Sequence, residues 1–207
     1  MSAYSNTPLL SNRLIKMFVV AAHEETGAEK LPQVLEKARL SPAVMDAESI
    51  NRLSGRGAAE IYASLQRALR LFYGRGARGL LLRIGRNMWG RLVADANFRE
   101  KAELEIIRRL PVPARRKRTL EFIAEQYRTG GGSTMVHLLD TDLLFVDRSG
   151  AATCGQESTE PICFVTHGIL EAALHWATGQ DADIEEISCK AMGANACEFK
   201  FTPGGMR

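Results

Sequence analysis

Four side chains toward the end of the chain carry the clearest chemistry in the sequence. Cys163, Glu186, Cys189 and Cys197 stand in the spacing C-x22-E-x2-C-x7-C. Three thiolates and one carboxylate make a complete tetrahedral donor set. A sulfur-rich set favours zinc over magnesium or calcium. Four protein donors leave no position open for water, so such a site is structural rather than catalytic. The same residues allow two other readings. Cys189 and Cys197 can pack as buried thiols on neighbouring strands, or join in a cross-strand disulfide.

Which reading holds depends on the elements that position these residues. The stretch "EPICFVTHGILEAALHWATG" reads as a helix started by Pro161 and stopped by Gly179, with Cys163 at its start. "DIEEISCKAMGANACEFKFTP" reads as a hairpin turning at Gly193 to Asn195. Glu186 and Cys189 fall on its first strand and Cys197 on its second. Upstream, "GGGSTMVHLLDTDLLFVDRSG" reads as strand, turn, strand, with the turn at Asp140 to Asp142. If the helix packs over the hairpin, the four donors converge.

The remainder is helical. Helices are expected over "SNRLIKMFVVAAHEETG", capped at Ser11 or Asn12, and over "EKLPQVLEKARL". A third, "AAEIYASLQRALRLFYG", carries Ile61, Leu65, Ala68, Leu69 and Phe72 on one face. "GLLLRIGRNMWGRLVADA" reads as another helix, whose glycines at 79, 85 and 90 allow close packing. Two more, broken by Pro111 and Pro113, precede the strands, while residues 41–54 read as loop. The fold class is therefore α+β, with a helical N-terminal half packed on a small antiparallel β-sheet. Residues 1–207 form one domain; 1–40 are N-terminal helices and a candidate dimer element, and 130–202 a β-β-α-β-β metal-binding core.

Composition narrows the function classes. The chain has 207 residues, enough for a core without staples, and its net charge of +3 is too small to imply nucleic acid. Four cysteines do not make a disulfide scaffold at this length. The apolar stretch Met17 to Ala22 is too short to span a bilayer and has no cleavage site after it. The expectation is a cytoplasmic protein with reduced thiols.

The stretch from Cys163 to Phe201 resembles the 4-vinyl-reductase domain. Its pattern of a helix-opening cysteine, a glycine, then E-x2-C-x-A-x-G-x3-C-x-F is met here by Cys163, Gly168, Glu186, Cys189, Ala191, Gly193, Cys197 and Phe199. "LFYGRGARGLLLRIGR" is similar to a second element of the family, and the resemblance runs over roughly residues 10–202. It implies a fold shared with TRAPP-type subunits and with aromatic-sensing domains of bacterial activators, commonly as homodimers. It also implies zinc on Cys163, Glu186, Cys189 and Cys197; the x2 spacing to Cys189 selects Glu186 over Glu185. Cys154 matches nothing in the pattern. Among bare domains of the family, the resemblance points to a small bacteriochlorophyll-biosynthesis protein, in transient contact with the enzymes of that pathway.

Reductase chemistry has little support in the residues. No G-x-G-x-x-G lies between a strand and a helix, since "LSGRGAAE" and "FYGRGARG" lack that setting and "TGGGST" precedes a strand. An 8-vinyl reductase or reductase subunit is the first alternative, and an effector-sensing or scaffold module for an aromatic ligand the second. The leading expectation is a zinc-stabilised protein that binds or hands over a tetrapyrrole intermediate such as magnesium protoporphyrin IX monomethyl ester. His167, one helical turn after Cys163, is the first candidate ligand contact. Phe145, Trp176 and Ile184 are the others. Phe98, Tyr127 and Phe164 are further apolar candidates near the metal core, and His175, His137 and His23 weaker polar ones. The basic run Arg108 to Arg118 reads as a solvated helix face.

Overall fold

The computed structural model describes residues 7–128, 131, 133–140 and 142–202. The glycine run and the middle of the Asp140 to Asp142 turn fall partly outside these. Eight helices and four strands are assigned among them: α1 (Asn12–Thr26), α2 (Lys30–Lys37), α3 (Ala47–Asn51), α4 (Gly55–Tyr73), α5 (Ala77–Ala94), α6 (Phe98–Arg109), α7 (Val112–Arg128), β1 (Thr134–Leu139), β2 (Asp142–Asp147), α8 (Phe164–Thr178), β3 (Asp183–Ser188) and β4 (Cys197–Thr202). The α+β expectation holds. No helix among the described residues is long and apolar enough to cross a membrane.

Local chemistry sets most boundaries. Ser11 caps α1 through its hydroxyl, which accepts from the Leu14 N–H at 3.2 Å. Residues 41–54, expected as loop, instead hold a 3-10 turn (Pro42–Met45) and α3. Ser41 and Asp46 supply the caps, accepting from Ala43 N–H and Ser49 N–H. The late helix starts at Phe164 rather than at Pro161. On α4 the buried face runs through Ala58, Tyr62, Leu65 and Leu69, while Ile61 and Phe72 are only half-buried.

The strands form one antiparallel sheet in the order β1-β2-β4-β3. Phe145 of β2 stands opposite Phe199 of β4, and Ile184 of β3 opposite Phe201. Those four, with Cys197, make the inner face, and α7 and α8 lie over it. Tyr127 of α7 meets Phe145 edge-on at 6.2 Å, and its hydroxyl is 3.2 Å from Thr166 of α8.

Helix α5 joins the helical half to this unit by packing along α8. The two touch backbone to backbone at Gly85 and Gly168. A Cβ on Gly85 would stand 2.2 Å from the Val165 carbonyl oxygen, and one on Gly168 2.1 Å from that of Leu82. No side chain fits there, so glycine sets the distance between the layers.

Buried Asp147 closes β2. Its Oδ1 accepts from Ser149 N–H (2.9 Å), Ser149 hydroxyl (2.6 Å) and Gly150 N–H (3.1 Å). Asp147→Asn keeps that acceptor and is expected to leave stability within about 1 kcal/mol. Asp147→Ala removes the acceptor of those three donors and of the Thr134 hydroxyl at 3.5 Å, and should cost roughly 2–4 kcal/mol by urea denaturation. Equal loss in both variants would show that the charge, not the acceptor, matters.

Candidate metal centre

Three elements deliver the four donors. Cys163 is the N-cap of α8, and its backbone N–H donates to Glu186 Oε2 at 3.1 Å. The carboxylate therefore caps the helix from the neighbouring strand, at the end of the dipole that favours negative charge. On β3 the side chains alternate, with Ile184, Glu186 and Ser188 more buried and Asp183, Glu185 and Ile187 exposed. Glu186 is thus the inward carboxylate and Glu185 faces solvent. A register shift between Glu186 and Ser188 ends the strand, and Cys189 is buried just beyond it rather than on it. A 3-10 turn (Lys190–Met192) and Gly193, at φ 89°, carry the chain back to Cys197, the first residue of β4. Only glycine adopts that φ without strain.

The sulfur of Cys163 lies 3.5 Å from that of Cys197 and 3.9 Å from that of Cys189. One donor atom from each of the four residues lies within 4.8 Å of the others. A tetrahedral ion with metal–sulfur bonds of about 2.3 Å spaces its sulfurs about 3.8 Å apart. The observed spacing fits that geometry without rearrangement. Glu186 Oε1 is buried with no hydrogen-bond partner, as expected of an oxygen that has a metal to meet. The Lys190 N–H donates to the Cys197 sulfur at 3.4 Å, the outer-shell bond that orients a thiolate ligand.

Electrostatics point the same way. Hydrogen bonds from Cys163 and Cys197 pull Cys189 far below an ordinary thiol. Cys163 is pushed up by donating to both other sulfurs and by burial. Cys197 is pushed up despite a hydrogen bond from Cys163, because it donates to Cys189 and is buried. Burial, then the nearby Cys189 charge, pushes Glu186 to about 8. One thiolate serves three sulfurs, since four acids this close do not ionise together unaided. A divalent cation would allow all four to do so, releasing protons as it binds. When bound it would supply a cross-link between α8 and the hairpin, with no open coordination position for a reaction.

The 4-vinyl-reductase domain model matches residues 144–203. That segment holds most of β2 and all of α8, β3 and β4, hence all four donors, and the match supports the 4-vinyl-reductase-domain family for this part of the chain. No curated protein sequence matches significantly. Solved structures share the fold over almost the whole chain. An H-NOX protein from S. oneidensis in the Fe(II)NO ligation state aligns with a TM-score of 0.55 and 13% identity, over 93% of this chain and 98% of that one. An Fe(II) unliganded H-NOX protein from K. algicida gives 0.54 and 12%, over 95% and 98%. H-NOX from Shewanella woodyi in the Fe(II)CO state gives 0.51 and 13%, over 94% and 95%. At such identity the likeness concerns the fold alone.

The ligand candidates separate in space. Phe145 and Ile184 are core. His167 is half-buried, with Nε2 3.3 Å from Glu171 Oε1 and its ring edge-on to Phe199. Burial lowers its pKa, Glu171 opposing and Arg78 and Arg86 adding, so the imidazole is neutral near pH 7. Trp176 lines a groove of about 800 Å³ between α5 and α8. Its other walls are Trp89, Val93, Ala172 and Ala182, with Arg86–Glu171 and His175–Asp181 at the rim. Trp89 meets Trp176 edge-on at 5.5 Å. The sequence reading missed Trp89; its place four residues after Gly85 on α5 was the available signal.

The other candidates lie elsewhere. Tyr127 is core and Phe164 half-buried next to Cys163. Phe98, expected near the metal core, is instead the first residue of α6 and 90% exposed. His137 is exposed on the edge strand, and His23 is half-buried on α1 with an unpartnered Nδ1. Cys154 stands half-buried outside the cluster. The basic run is a solvated face only in part. Arg108 stacks over Trp176 at 4.7 Å, and Arg115 donates to the carbonyls of Leu110 and Ala177.

Proposed function

We propose that this protein is a small-ligand-binding module whose C-terminal unit is held together by a structural zinc ion on Cys163, Glu186, Cys189 and Cys197. The observation that carries the binding role is the Trp89–Trp176 groove. Its volume of about 800 Å³ lies within the usual range of small-molecule sites. Its walls are largely apolar, with both tryptophans among them. A flat aromatic ligand stacks on the two indole rings and turns its polar edge to the charged rim.

The finer reading is a tetrapyrrole intermediate of bacteriochlorophyll biosynthesis, bound or handed over rather than transformed. The 4-vinyl-reductase-domain match and the breadth of the groove support it. Zinc serves this role indirectly, by fixing the start of α8, the helix that forms one wall.

Titration with magnesium protoporphyrin IX monomethyl ester tests the reading. It predicts a Soret shift and tryptophan quenching that saturate at micromolar concentration, weakened about tenfold or more in Trp176→Ala. No shift at that concentration removes the tetrapyrrole. Quenching by simpler aromatic molecules without a tetrapyrrole response would favour an effector-sensing module instead.

A further inference from the structure

Four arginines crowd the junction of α4 and α5. Arg67 and Arg70 lie near the end of α4, Arg75 in the Gly74–Gly76 turn and Arg78 in the first turn of α5. Among the described residues, none of the four pairs with a carboxylate, whereas Arg56, Arg83 and Arg86 nearby pair with Glu60, Glu25 and Glu171. Exposed arginines at a helix end are ordinary, because they favour the dipole there. Arg70 is not of that kind. It is half-buried, its Nη2 donates to Gln156 Oε1, and its Nη1 is buried without an acceptor. Gln156 is itself fixed by donating to the Ala63 and Ala152 carbonyls. The guanidinium is therefore held in place.

Two clefts are lined in part by Arg70. One, of about 300 Å³, lies between Arg70, Arg75 and Arg78 on one side and Pro161, Ile162 and Phe164 on the other. Arg78 sits over the Phe164 ring at 5.8 Å. Ser158 and Glu160 complete its polar lining. The second, of about 510 Å³, adds Arg67 and the segment Gly155 to Glu157. Four cations thus face two carboxylates, Glu157 and Glu160. The guanidinium fork matches a carboxylate in two-point contact. The wall of Ile162 and Phe164 matches an apolar ring.

We propose that this junction is an anion site for a small aromatic carboxylate, with the carboxylate on Arg70, Arg75 and Arg78 and the ring against Phe164 and Ile162. It is separate from the tryptophan groove and does not depend on the tetrapyrrole, although its apolar wall flanks Cys163.

Isothermal titration of the full chain with 1-naphthoate tests it, with inorganic phosphate at matched ionic strength as the comparison. The titration is made in a Trp176→Ala background, which removes a ring of the other groove, and the expected result there is one saturable site per chain. Affinity should fall about tenfold or more when Arg75→Gln/Arg78→Gln is added. Both of those arginines are exposed, so their replacement should leave the melting temperature of the background unchanged. No saturation up to about 10 mM, equal affinity in the double arginine variant, or phosphate binding as tightly as naphthoate would each overturn the proposal.

Discussion

A Cys189→Ser/Cys197→Ser variant is expected to emerge without zinc and with a melting temperature about 10–20 °C below that of the wild type. Structural zinc contributes on the order of 10–16 kcal/mol in small metal domains. This chain has a large core besides, from Phe18 and Tyr62 to Phe145 and Phe199, so only part of that figure should appear. A loss of about 5 kcal/mol corresponds to the stated shift at this chain length. Serine is nearly the same size as cysteine, so packing loss alone accounts for only about 1–2 kcal/mol. The damage should be local. Hydrogen exchange should rise in β3, β4 and the start of α8, which the donors tie together, while α1 and α4 stay protected. One zinc per chain in the variant, measured by elemental analysis, would refute the donor set. A melting temperature unchanged despite zinc loss would leave the metal without a structural role.

Gly85→Ala is expected to be nearly as damaging, for a reason with no chemistry in it. The added methyl would sit 2.2 Å from the Val165 carbonyl oxygen and 2.9 Å from the Gly168 Cα. Those are backbone atoms and cannot swing aside as a side chain can. Helices α5 and α8 must move apart, opening contacts along both. Overpacking typically costs about 1–3 kcal/mol, and this site, with backbone on both sides, belongs at or above the top of that range. Gly90→Ala on the same helix is the control. Its methyl would meet nothing within 4 Å, and alanine is the better helix former by about 0.8–1 kcal/mol. Chemical denaturation should therefore give opposite signs for the two. Similar small effects would mean that the close approach of α5 and α8 does not limit stability.

The sequence made some of this readable and left the rest hidden, for physical reasons. Helices such as α1 and α4 announce themselves through period and caps, because those signals are local. The convergence of Cys163, Glu186, Cys189 and Cys197 was readable because metal chemistry demands particular side chains at spacings that a hairpin and a helix end can bring together. Alternation along β3 then places Glu186, not Glu185, on the inner face. The groove was much less readable. Phe145, Ile184, His167 and Trp176 are alike as candidates in sequence, yet only Trp176 reaches the groove. That distinction depends on which face of α8 meets α5, and this is set by Gly85 and Gly168 together. Neither glycine alone reveals its partner. Phe98 failed for a related reason: an apolar side chain in a first helical turn carries no local mark of which way it points.

The central claim is that Cys163, Glu186, Cys189 and Cys197 together hold one zinc ion. X-ray absorption at the zinc edge on the purified wild-type protein tests it most directly. The account predicts three sulfurs at about 2.3 Å and one oxygen at about 2.0–2.2 Å. A shell of nitrogen and oxygen alone, or fewer than three sulfurs, would contradict it.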